Sequence, residues 1–291
     1  MSITFYAKKI ITATLLLTST TVLAQSNQLT IERPNQEPVT YQLPDQIRMG
    51  DAISRSLPNK NIYWPAARLG SKHLQTELER ERRKVLMRLE DLQADAKRRN
   101  EDALLGAATQ LYKQIEQLPL KAGYYLGIPW ESIRIDLESN PKLNEEGVNS
   151  SHFKLTVNRY PTFYRVLGLT NAPESRVFPA PTQSTQLKDL LSSLQISPVA
   201  DKGHVWHIAM NGEVSRQPAA SYNEKQASEC YPHNRKAPLQ LSVTQQCFPD
   251  STVKAGAIIF IGFSKSKLPE PFKNINEHIA QILKHHNYAQ N

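Results

Sequence analysis

Arg134 and Asp136 stand two apart in Ser132-Ile133-Arg134-Ile135-Asp136-Leu137. On an extended chain that spacing puts both charges on one face and the three aliphatics on the other. A guanidinium fork placed there suits bidentate capture of a carboxylate or phosphate, such as a uronic acid or a lipid diphosphate. The same pair also reads as an internal ion pair that holds a sheet together. Tyr63 and Trp64 offer two adjacent rings, which can stack on a sugar or pack into a core. Arg134, Asp136, Tyr63 and Trp64 are the candidate ligand-binding residues.

Catalytic constellations are scarce. The chain has no Gly-x-Ser-x-Gly, no His-Glu-x-x-His and no phosphate loop. Ser264 with Lys267 and Ser151 with Lys154 both match a Ser-x-x-Lys spacing, and two unrelated matches show how cheap that spacing is. His204 and His207 fall on a strand pattern three apart, which points them to opposite faces and argues against shared metal ligation. Glu131, Asp136 and Glu138 cluster, but clustering alone does not make a glycosidase pair. The reading is of a non-enzymatic protein with no cofactor.

The two cysteines, Cys230 and Cys247, suggest one disulfide if the chain is exported. They would staple a polar, Pro-containing loop. A metal site from Cys230, His233 and Cys247 is the alternative, and it lacks a fourth ligand at the usual spacing.

Export is what the beginning of the chain implies. Lys8 and Lys9 precede an apolar run, Ile10 to Leu17, and Val22-Leu23-Ala24 carries residues of the kind a signal peptidase reads. That pattern is a cleavable leader over residues 1–24, with an apolar core too short for a transmembrane helix. Apolar residues make up 40% of the 291 positions, enough for a folded protein of one large or two small domains. Removing Lys8 and Lys9 lowers the net charge of +8 to +6. A basic excess favours acidic partners, such as anionic polysaccharide or lipid headgroups, and an exported compartment argues against nucleic acid.

The elements that must position these residues follow from periodicity. Leu29 to Glu32 and Val39 to Leu43 alternate around Pro34, Asn35 and Pro38, a hairpin, and a short helix follows from Met49 to Leu57. Ile62 to Leu69 is a compact apolar segment, with Trp64 extended because Pro65 follows it. Ser71 caps a long amphipathic helix to Arg99, with Leu74, Leu78, Val85, Leu89, Leu92 and Ala96 on one face. A second helix runs from Asp102 to Leu118, making a helical hairpin turned at Asn100. The basic clusters 82–84 and 97–99 are interleaved with acids, as on a solvated face. Strands are predicted at Ser132 to Leu137, Phe153 to Val157, Thr162 to Gly168, Ser175 to Pro179, His204 to Ala209, Glu213 to Arg216 and Ala257 to Phe263. Asn211-Gly212 marks a hairpin turn. Leu187 to Leu194 forms a short helix. The last segment, Pro271 to Asn287, is an amphipathic helix with a stripe of Phe272, Ile275, Ile279, Ile282 and Leu283. That face can dock on the second domain, bind a partner helix or lie on a membrane surface.

Three stretches in this order resemble the GfcC family of capsule biosynthesis proteins: residues 63–69, residues 133–136 with 139–143, and residues 259–264 followed by Leu268-Pro269 and the terminal helix. The resemblance spans essentially all of the chain after the leader. It implies an α+β fold of two β-grasp domains, the first (25–158) with a helical hairpin inserted at about 71–119. The second (159–266) would carry the 230–247 loop, ahead of a C-terminal helix in 267–291. It also implies a periplasmic accessory protein in assembly or export of group 4 capsule or related exopolysaccharide, whose partners are the glycan, the outer-membrane export channel, or both. No transmembrane span is expected in the mature chain. A polysaccharide-modifying enzyme and a purely structural adaptor of the export machinery are the alternatives. The cysteine loop is a departure from the family pattern.

Overall fold

A computed structural model describes residues 27–43, 48–54, 62–126, 152–172, 174–180, 185–223, 226–232, 239–241, 245–247 and 252–288. The fold is α+β, with two sheets. The leader, the strand at Ser132 to Leu137, and with it Arg134 and Asp136, lie outside the described residues.

The first sheet has the order β2-β1-β5-β3-β4. Strands β1 (Asn27–Glu32) and β2 (Val39–Leu43) form the expected antiparallel hairpin, while β5 (His152–Thr156) runs parallel to β1. Alternation decides the register: Leu29 and Ile31 of β1, and Phe153 and Leu155 of β5, are buried on the core side. Helix α1 (Met49–Ser54) follows the hairpin. Trp64 departs from the expected extended conformation and opens a 3₁₀ turn, Trp64–Ala66. Pro65 is tolerated there because an N–H in a first helical turn has no acceptor to lose; Ala66 N–H and Ala67 N–H close the turn on Tyr63 and Trp64. The chain then enters β3 (Arg68–Ser71), which pairs β5 and the two-residue β4 (Tyr124–Tyr125).

Between β3 and β4 lie α2 (Lys72–Arg98) and α3 (Asp102–Glu116). Ser71 caps α2 by accepting from Leu74 N–H at 3.3 Å. The six residues of the predicted apolar stripe are buried. Asn100 turns the chain at φ 55°, and α3 returns antiparallel, with Thr109 bonded to Gln93 and Arg82 to the Ile115 carbonyl. The basic clusters pair with local acids: Lys84 with Glu81 at 2.8 Å, and Arg98 and Arg99 with Asp95 at 3.1 and 3.0 Å. They form a solvated face, where such pairs contribute under about 1 kcal/mol each.

The second sheet has the order β11-β10-β9-β8-β12-β6-β7. Its strands are β6 (Phe163–Gly168), β7 (Arg176–Pro179), β8 (His204–Ile208), β9 (Val214–Pro218), β10 (Ser228–Tyr231), β11 (Gln245–Cys247) and β12 (Ile258–Ile261), with α4 (Leu187–Ser193) after β7. Again the last strand, β12, runs parallel to the first, β6. All four residues of β12 are buried, as a continuous apolar run in mid-sheet should be. Cys230 and Cys247 are disulfide-bonded, so their thiolates are not metal ligands.

The terminal helix is shorter than expected: a 3₁₀ turn, Glu270–Phe272, then α5 (Ile275–Leu283). Its stripe of Phe272, Ile275, Ile279, Ile282 and Leu283 is buried inside the molecule. It packs on α2 and β8, so the face proposed for a partner helix is taken up internally. Arg88 of α2 secures it by donating to Pro271 O and Asn274 Oδ1, both at 2.7 Å. One apolar cluster runs from the first sheet through these helices into the second.

Candidate functional site

The link from β5 to β6 is Val157-Asn158-Arg159-Tyr160-Pro161-Thr162, and it borders a cleft of about 260 Å³ between the two sheets. The opposite wall is the β1–β2 turn, Pro34 and Asn35, with Asn35 at φ 58°. Asn tolerates that left-handed conformation better than most residues. Met210 and Tyr288 complete the lining. Gly256, at φ 76°, backs the wall: a Cβ there would lie 2.8 Å from Met210 Sδ and 2.9 Å from Pro161.

Two residues give the cleft its chemistry. Asn158 is 2% exposed. Its Nδ2 donates to the Ala66 carbonyl at 3.1 Å, which fixes the amide's orientation, and its backbone carbonyl accepts from Tyr63 N–H at 2.7 Å. Its Oδ1 then has no hydrogen-bond partner among the described residues. A buried acceptor without a donor costs about 1–3 kcal/mol. Tyr160 is 64% exposed, and its ring lies 5.3 Å from Tyr63 at 59°. Tyr63 is thus half-buried behind a ring that faces solvent, while Trp64, also half-buried, packs on the core.

Behind Tyr288 lies a buried polar cluster. After α5 the chain runs back alongside residues 119–121: Lys121 N–H donates to His285 O at 2.8 Å, and Asn287 N–H to Pro119 O at 2.9 Å. The Tyr125 hydroxyl donates to the Lys284 carbonyl. Arg68, 1% exposed, donates through Nη1 to Lys121 O at 2.8 Å and stands 5.4 Å from the Tyr125 ring centre, a cation–π distance. Its Nη2 meets no acceptor among the described residues. Burial brings His286 down to about 3, and the Arg165 and Arg68 charges push the same way, so the imidazole is neutral at neutral pH. Burial raises the Tyr288 phenol, as does Tyr125, against the pull of Arg68 and Arg165. Lys284, whose ammonium donates to Gln240 O at 2.8 Å, is brought by burial to about 7. Among the described residues the formal charges acting on His286 and Tyr288 are those of Arg68 and Arg165.

The other sequence candidates lie apart from the cleft. His204 sits beside Asp201 at 3.7 Å, while His207 is buried. Burial would raise Asp201, but His204, the Gly203 N–H and Arg216 outweigh it and hold the carboxyl at about 2. The Ser264 hydroxyl pairs with the Ser266 hydroxyl at 3.0 Å, and Lys267 reaches Ser264 through its backbone N–H. Among the described residues no group of three His, Cys, Asp or Glu is placed to hold a metal. Sequence reasoning missed Asn158, Arg68 and Tyr288. For Arg68 there was a signal, a single charge inside an apolar run; a lone Asn or Tyr carries none.

Two family models match the chain. Capsule biosynthesis GfcC, N-terminal, matches residues 26–148, and capsule biosynthesis GfcC C-terminal matches residues 240–287. A comparison with curated proteins finds no match. The first span contributes Arg68, Lys121 and Tyr125 to the buried cluster, and the second contributes Lys284 and His286. The cleft residues Asn158 to Phe163 fall between the spans. With both models matched in order, and their residues interlocked in space, the chain belongs to the GfcC family of capsule biosynthesis proteins.

Proposed function

We propose that this protein is a non-enzymatic periplasmic accessory factor in capsule or exopolysaccharide assembly or export, and that it binds glycan in the cleft of Asn158 and Tyr160. The observation that carries the reading is the exposed Tyr160 ring on a cleft whose lining also includes Arg159 and Asn35. A sugar offers an apolar C–H face to that ring and hydroxyls to the polar lining. Membership of a capsule biosynthesis family supports the pathway, and the leader sequence and the disulfide support export to an oxidising compartment. The strand orders support two β-grasp domains: in each sheet a first hairpin, a helix, and a last strand parallel to the first, with the α2–α3 pair inserted in the first sheet. An outer-membrane export channel is the protein partner this role calls for. The amide, phenol and guanidinium groups of the lining suit holding a glycan more than cleaving one.

The test is titration calorimetry with polysaccharide purified from the parent strain. Tyr160 is exposed, so Tyr160→Ala should leave the melting temperature unchanged and weaken binding about tenfold, equivalent to roughly 1.4 kcal/mol. Unchanged affinity in Tyr160→Ala would overturn the reading.

A further inference from the structure

The lining of the cleft is not electrically neutral. Arg159 is its one charged residue, and no Asp or Glu is among the described lining residues. The Arg159 side chain is exposed and makes no ion pair or hydrogen bond among the described residues. Arginines on a surface commonly lean on a carboxylate; this one has none. Below it, Tyr288 joins the lining to the buried cluster, where the charges of Arg68 and Arg165 reach its phenol. Arg68 also keeps an N–H group without an acceptor. Glu32, at this end of the first sheet, is held by Lys121 and by Lys154, the latter at 2.9 Å, while Glu37 of the β1–β2 turn is exposed and does not line the cleft.

We infer that the cleft selects an anionic sugar, with Arg159 binding the charged substituent of a residue whose ring stacks on Tyr160. The inference rests on the glycan-binding reading and adds the chemical class of the glycan. The substituent is a ring carboxylate or a phosphate ester, because a guanidinium fork meets either through two parallel N–H···O bonds. Buried Arg68 and half-buried Arg165 strengthen the selection without touching the ligand. Charge felt through a low-dielectric interior is screened less by salt than charge across open solvent.

The experiment titrates three forms of the parent strain's polysaccharide into the full chain: native, carboxyl-reduced (uronic acids converted to neutral sugars) and dephosphorylated. The expected result is a tenfold or greater loss of affinity for one of the two neutralised forms, which identifies the substituent. Arg159→Gln should lower affinity for the native form to that level and leave the weakened form bound as before. Equal affinity for all three forms, or a native polysaccharide without charged groups, would overturn the inference while leaving glycan binding in place. A preference that survives Arg159→Gln would also overturn it. Failure of all three forms to bind would remove the glycan reading itself.

Discussion

Lys284 shows how one side chain can set the pH response of the fold. Its ammonium is buried against a single backbone carbonyl, and burial brings it to about 7, from about 10.4 in an unfolded chain. Between those values the unfolded chain holds a proton that the folded chain has released, so stability rises with pH across that window. Below about 7 both states are protonated and the cost of the buried charge is constant. Lys284→Met, which keeps the length and drops the charge, should therefore be more stable than the parent at neutral pH. It should also lose the rise between pH 7 and 10; melting temperature against pH reads both effects. His286 works on the acid side. It is neutral when folded, and protonation below about 6.5 favours the unfolded chain until about pH 3. His286→Gln should flatten the loss of melting temperature between pH 6 and 4.

At the scale of elements, the disulfide is the clearest case. Cys230 and Cys247 are 17 positions apart and join β10 to the edge strand β11. Closing a loop of that length restricts the unfolded chain by roughly 3 kcal/mol. Reduction, or Cys230→Ser with Cys247→Ser, should lower the urea midpoint accordingly and change the affinity for glycan little, because neither cysteine lines the cleft. The long elements were legible because their patterns are strong. The stripe of α2 repeats through 27 residues, and β12 is unbroken Ile258-Ile259-Phe260-Ile261. Four strands were not. Arg68 to Ser71 is buried at every position, so β3 shows no alternation to read. Strand β4 has two residues, and β10 and β11 are polar and exist through pairing and the staple. The candidate site was legible only in part. Tyr63, a candidate from the sequence, lies against Tyr160 on the cleft, but Asn158 became notable only when folding buried its oxygen away from any donor among the described residues.

Over the whole molecule, the two sheets are fastened at three places far apart in sequence. Gln114 of α3 accepts from Gly168 N–H at 2.9 Å and donates to its carbonyl, and Gln110 reaches the carbonyls of Thr170 and Ala172 at 2.8 and 2.7 Å, so the helices of the first sheet hold the end of β6. On the other side the β8–β9 turn meets Tyr125: Gly212 has φ 84°, and a Cβ there would stand 2.3 Å from the ring. Gly212→Val should cost at least the 1–3 kcal/mol of a strained backbone, seen as a lower urea midpoint. The third fastening is the segment after α5, which fills the space beside residues 119–121. Tyr125 and Lys284, which share a hydrogen bond, are 159 positions apart. Synthesis runs from the amino end, so the first sheet and its helices are made long before the residues that close over Arg68 exist. Until then Arg68, Tyr125 and the part of α2 that α5 covers remain in water, and a nascent chain halted before residue 284 would present a protease-sensitive surface that the finished protein never shows. Loop-closure entropy over such a span must be met before the contact gives anything back, so the docking of the segment after α5 is a late step of folding.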